Sequence, residues 1–75
     1  MGDRLPQISS KELIRALESL GFMIRRITGS HVIMRHPLSK RMVVIPDHSK
    51  DLSRGLIFGI LKQAGISQDD LIKIL

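Results

Sequence analysis

Phe22-Met23-Ile24-Arg25-Arg26-Ile27-Thr28-Gly29-Ser30-His31-Val32-Ile33-Met34-Arg35-His36, continued by Pro37-Leu38-Ser39-Lys40-Arg41-Met42-Val43-Val44-Ile45-Pro46, decides how this chain folds. Phe22, Ile24 and the pair Val32/Met34 alternate with polar residues, the period of two that belongs to strands. Met42-Val43-Val44-Ile45 is rich in β-branched residues and closes at Pro46. Thr28-Gly29-Ser30 and Pro37-Leu38-Ser39-Lys40 carry the residue types of turns. The stretch therefore predicts three short antiparallel strands, over about 22–28, 31–36 and 41–46.

Helical signals flank it on both sides. Ser9-Ser10-Lys11-Glu12 is a capping box, with Ser9 as N-cap and Glu12 three residues on. Leu13, Ile14, Leu17 and Leu20 recur at helical spacing and Gly21 offers a left-handed stop, predicting a helix of about ten or eleven residues. Beyond the strands, Asp47-His48-Ser49-Lys50-Asp51 reads as a polar loop. Leu56, Ile57, Ile60, Leu61 and Ala64 then return to helical period until Gly65. Phe58, inside that helix, reads as a core residue ahead of a partner contact. Ser67 caps a short last helix, with Asp69 and Asp70 where the macrodipole favours anions and Leu71, Ile74 and Leu75 to pin it. The order is α-β-β-β-α plus a terminal short helix, an α+β layering with helices on one face of the sheet.

Composition bounds the possibilities. With 75 residues and 43% apolar content, residues 1–75 read as a single domain around one core. The absence of cysteine excludes disulfide scaffolds, thiolate zinc sites and thiol catalysis, and points to the cytoplasm. Phe22 and Phe58 are the only aromatics besides histidine, which argues against base-stacking platforms. Met1 to Pro6 shows no leader, Pro6 stands where myristoylation needs Ser or Thr, and no window suits a membrane span. A soluble, unanchored protein is expected.

The charge is segregated. Residues 22–50 hold Arg25, Arg26, Arg35, Lys40, Arg41 and Lys50 against the single acid Asp47, and that segment carries the whole net charge of +5. All three histidines lie there too. A solvated strand face would look similar, but such confinement favours a polyanion footprint, most simply nucleic-acid phosphate. Affinity would then be strongly salt-dependent, with modest sequence preference.

His31, His36 and His48 do not suggest a metal site. His31 shares strand parity with Ile33 and Arg35, whereas His36 shares it with Val32 and Met34, so the two face opposite ways. His31 follows Gly29-Ser30 at the start of the second strand. A histidine side chain has an unperturbed pKa of about 6.5 and can exchange a proton near neutrality. Neighbouring Arg and Lys would hold a phosphate and stabilise its developing charge. RNA is the polyanion for which this kit suffices, because its own 2′-hydroxyl supplies the nucleophile, and DNA lacks it.

Gly29-Ser30-His31, Val44-Ile45-Pro46-Asp47-His48, Gly55 and Ile60-Leu61-Lys62-Gln63-Ala64-Gly65-Ile66-Ser67, in this order and spacing, resemble the HicA family of toxin–antitoxin mRNA interferases. The helix ending Leu17-Glu18-Ser19-Leu20-Gly21-Phe22 fits as well, and the likeness runs from about Ile8 to Leu71. The resemblance implies a double-stranded-RNA-binding-domain-like fold and a metal-independent endoribonuclease cleaving mRNA without a cofactor. It also implies neutralisation by a HicB-type antitoxin that covers the active site. It maps the catalytic histidine, a general acid or base, onto His31, in the turn shaped by Gly29 and Ser30. His48 matches a recurring Pro-x-His position and is a possible auxiliary group. Arg25, Arg26, Arg35, Lys40 and Arg41 are unranked candidates for RNA binding. Thr28, where the family is commonly basic, departs from the pattern, as do Leu56, Ile57 and Phe58 after Gly55. Phosphate contacts near the start of the second helix are thereby confined to Lys50 and Arg54. Two alternatives stand beside the nuclease: a non-catalytic RNA-binding module of the same fold, and a protein adaptor whose basic face meets an acidic partner.

Overall fold

The computed structural model describes residues 5–75, so the reading of Met1–Arg4 lies outside the described residues. The elements run α1 (Ser10–Ser19), β1 (Met23–Thr28), β2 (His31–Arg35), β3 (Met42–Pro46), α2 (Arg54–Ala64) and α3 (Gln68–Ile74).

Local chemistry sets the helix ends. At α1 the Ser9 hydroxyl accepts from the Glu12 amide at 3.2 Å, and the Glu12 carboxylate accepts from the Ser9 amide at 2.9 Å. This is the expected capping box. The helix closes where the Phe22 amide donates to Leu17 C=O and the Gly21 amide to Glu18 C=O, both at 3.0 Å, with Gly21 at φ +100°. The same paired bonds close α2. Ile66 donates to Leu61 and Gly65 to Lys62, at 3.0 and 3.2 Å, with Gly65 at φ +73°. Both are Schellman motifs, which tie the departing chain back onto the last turn. Leu17, Phe22 and Leu61 are buried in the core, and Ile66 is partly buried against that core.

The sheet is antiparallel in the order β1-β2-β3. Val32 pairs with Ile45 and Met34 with Val43, and these four form the inner face beneath the helices. α2 packs on β3, and α1 touches β3 and α3. The core gathers side chains from α1, β2, β3, α2 and α3, together with Leu5, Ile8, Phe22 and Leu52 from the connections. It takes none from β1, whose six residues are all exposed. A register shift between Ile24 and Arg26 inserts Arg25 as an extra residue in β1.

Four expectations need correction. Phe22 belongs to the exit of α1 rather than to a strand, and Ile24, expected on the core face, is 42% exposed. Ile24 does pair with Met34 on the inner side, but the helical layer is centred on β3 and does not extend over β1. On α2, Ile57, Ile60, Leu61 and Ala64 make the buried stripe, so Leu56 and Phe58 turn away from it and Phe58 is 40% exposed. Leu71, buried, anchors α3 with Ile72 packed partly against the core, while Ile74 and Leu75 remain exposed.

Ser10 locks the loop after β3. Its hydroxyl, buried, donates to Pro46 C=O and accepts from the Ser49 amide at 3.1 Å, while the Ser10 amide donates to Ser49 C=O at 2.9 Å. The Leu52 amide adds a bond to Ile8 C=O at 2.9 Å. Two helices on one face of a three-stranded antiparallel sheet, followed by a short C-terminal helix, make this the double-stranded-RNA-binding-domain-like α+β fold. No helix among the described residues is long and apolar enough to cross a membrane.

Candidate functional site

Gly29 and Ser30 alone join β1 to β2, because Thr28 already pairs with His31. Such two-residue loops need a positive φ that matches the twist of the strands, and Gly29 supplies it at φ +53°. A Cβ at Gly29 would meet nothing within 4 Å, so glycine is there for its backbone and not for space.

That turn delivers His31 to the sheet face away from the helices. Its parity partners are Ile33 and Arg35, and its cross-strand neighbours are Thr28 and Pro46. The side chain is exposed, and the Ser30 hydroxyl lies 3.4 Å from Nδ1. Among the described residues no hydrogen bond engages its Nε2.

His36 is a different kind of histidine. It stacks edge-on against Phe22, with centroids 5.1 Å apart, and its Nδ1 accepts from the amides of Leu38 and Ser39 at 3.1 and 3.3 Å. It holds the β2–β3 turn and covers the exit of α1. His48 sits in the loop after β3 at φ +65°, where its Nε2 lies 3.2 Å from Asp47 Oδ2 and its amide donates to Asp47 Oδ1 at 3.0 Å. The opposed directions expected of His31 and His36 are observed. Among the described residues no three His, Cys, Asp or Glu side chains converge as a metal site would require.

The basic residues separate into groups. Arg25, Arg35 and Lys40 line one shallow cleft of about 190 Å³, and Arg25 lines another of about 290 Å³ with Arg26, Ile33 and Met42. Arg26 pairs with Ile33, two residue pairs from the Thr28–His31 pair, or about 7 Å along the strand. Arg35 lies four residues along β2 from His31, about 13 Å. The Nε of Arg35 is buried without a hydrogen-bond partner among the described residues. Arg41 is turned elsewhere: its Nη1 donates to Gln63 C=O at 3.3 Å, and its side chain lies over Gly65 at the C-terminus of α2. Cations are favoured at helix C-termini, which gives Arg41 a structural task.

A larger cleft of about 560 Å³ lies between α1 and the loop carrying His48, lined among others by Lys11, Ile14, Arg15, Asp47, His48 and Lys50. Lys11 and Arg15 are absent from the sequence-derived candidates. Their four-residue spacing puts them on one helix face, but only the Ser10 bonds to Pro46 and Ser49 bring the His48 loop alongside.

The molecule is thus a small basic α+β domain with an exposed histidine at a hairpin turn and cations on the same sheet face. Residues 10–66 match the family model of the HicA toxin of bacterial toxin–antitoxin systems. The match spans more than half of the chain and runs from α1 through the closure of α2, and the chain belongs to that toxin family. No curated protein matches the chain.

Proposed function

We propose that this protein is a metal-independent endoribonuclease that cleaves messenger RNA in the cytoplasm, with His31 as general acid or base, and that a HicB-type antitoxin neutralises it. In the reaction the ribose 2′-oxygen attacks the adjacent phosphorus. The P–O2′ bond forms, the P–O5′ bond breaks, one proton leaves the 2′-hydroxyl and one is taken up by the 5′-oxygen. His31 handles one of these protons. His48 is the auxiliary candidate for the other, in a loop bonded to the turn that presents His31. Arg25, Arg26, Arg35 and Lys40 are the phosphate ligands in this reading. Arg41 is the weakest of the five cations for that role, since its guanidinium already serves Gln63.

The observation that carries the reading is the His31 ring, open to solvent with Nε2 uncommitted, on the face shared with Arg26 and Arg35. The test is incubation of the purified chain with messenger RNA in EDTA, beside His31→Ala. The native chain should release fragments, and His31→Ala should lose about 10²–10⁴-fold in rate with an unchanged melt. Full activity in that variant would remove His31 from the chemistry. Binding by the native chain without cleavage over hours would instead define a non-catalytic RNA-binding module.

A further inference from the structure

The strand β1 is unfinished. None of its side chains enters the core, and all six of its residues are exposed. Ile24 and Ile27 pair with Met34 and Val32 on the inner side of the sheet, yet they are 42% and 58% exposed, because the helices make their main sheet contacts on β3. Its second edge pairs with no strand among the described residues, since β1 ends the order β1-β2-β3. Such an edge presents a row of backbone donors and acceptors to any extended chain. Arg25 and Arg26 add positive charge, which blunts the edge against some partners and selects others.

We propose that the free edge of β1 receives an extended segment of the antitoxin as an added strand, with apolar residues over Ile24 and Ile27 and acidic residues toward Arg25 and Arg26. The proposal rests on the toxin–antitoxin reading and names the surface that the partner uses. Charge selects this occupant. A second copy of this chain pairing antiparallel through β1 would bring the Arg25-Arg26 pair against its own counterpart, and like charges across a strand pair are destabilising. An RNA strand would satisfy the arginines but offers no backbone ladder and leaves the two isoleucines bare. A strand alternating apolar and acidic residues meets all three demands, as strand-addition complexes do. It would lie about 10 Å from β2, two strand spacings away, on the far side of Thr28 from His31. Bound there, the partner occupies Arg25 and Arg26 and stands beside the His31 turn, so binding and RNA access compete.

The experiment compares the native chain with Ile24→Thr/Ile27→Thr, which keeps β-branching and charge but removes the apolar surface. The probe is the purified antitoxin encoded beside this toxin, with affinity measured by calorimetry. The double variant should bind at least tenfold more weakly while retaining native RNA binding and cleavage. Undiminished affinity would overturn the proposal, and so would parallel loss of RNA binding, which would assign the edge to RNA. Hydrogen exchange on the native complex gives a reading independent of any variant. Amides across 23–28 should slow at least tenfold on binding, and unchanged exchange there would overturn the proposal. A chain that cleaves no RNA would sink the ribonuclease reading alone, because affinity and exchange do not depend on catalysis.

Discussion

The amide of Asp47 donates to the carbonyl of Ser30 at 2.6 Å, joining the turn in front of His31 to the loop that carries His48. Asp47 in turn accepts from the His48 amide through Oδ1, and its Oδ2 lies 3.2 Å from the His48 ring Nε2. One connected hydrogen-bonded unit therefore holds both exposed histidines. If they divide the two proton transfers, His48→Ala should slow single-turnover RNA cleavage by about 10²-fold, nearer the lower end of general acid–base contributions than His31→Ala. Asp47→Asn, which keeps the shape but removes the charge facing the ring, should fall between His48→Ala and native. An unaltered rate in His48→Ala would take His48 out of the reaction.

Ser10 is the buried polar side chain on which the placement of that loop depends. Ser10→Ala leaves Pro46 C=O and the Ser49 amide without their partner, at a cost of about 1–3 kcal/mol. Urea denaturation should report the loss as a lower midpoint with an unchanged slope. Cleavage should fall as well, because the loop that it anchors carries His48.

The glycines should divide into two classes with opposite signs. At Gly21, φ is +100° and an added Cβ would come within 2.6 Å of His36 Nε2, so Gly21→Ala should destabilise by about 1–3 kcal/mol. Adding His36→Ala should relieve the crowding but not the backbone strain, and a double-mutant cycle separates the two. At Gly59, inside α2, a Cβ meets nothing within 4 Å, and Gly59→Ala should stabilise by about 0.5–1 kcal/mol. Thermal melts should show that gain as a rise of about 4–8 °C per kcal/mol.

The cations should separate by the quantity that they change. In a His31→Ala background, Arg26→Ala should weaken RNA binding and lower the slope of log affinity against log salt by about 0.7, one phosphate contact on a single strand. Arg41→Ala should leave that slope nearly unchanged and lower the melting temperature, since its guanidinium serves Gln63 at the end of α2. A slope change for Arg41→Ala equal to that of Arg26→Ala would return it to the RNA-binding set.

What could be read directly was short-range. The Ser9–Glu12 box and the Leu17–Phe22 and Leu61–Ile66 closures each complete their hydrogen bonds within six residues, so their signals lie within one short window. The two-residue Gly29-Ser30 loop pins the register of β1 on β2, and strand parity then separates His31 from His36. Phe58 and Ile24 escaped for one shared reason. Their burial depends on where a second element lies, and apolar character alone does not report that. Arg41 escaped because its carbonyl partner on Gln63 is twenty-two residues away.

By itself, then, the order of residues determined the elements, the helix caps, the opposed directions of His31 and His36 and the concentration of charge in the middle of the chain. Those properties follow from backbone bonds and side-chain alternation over a few residues. The tertiary structure alone decided that the helices settle over β3, that β1 is left bare, and that the His48 loop is held against α1. Those outcomes arise because one small core is filled by Val32, Met34, Val43 and Ile45 beneath two helices, and the apolar surface of those helices is spent before it reaches the first strand.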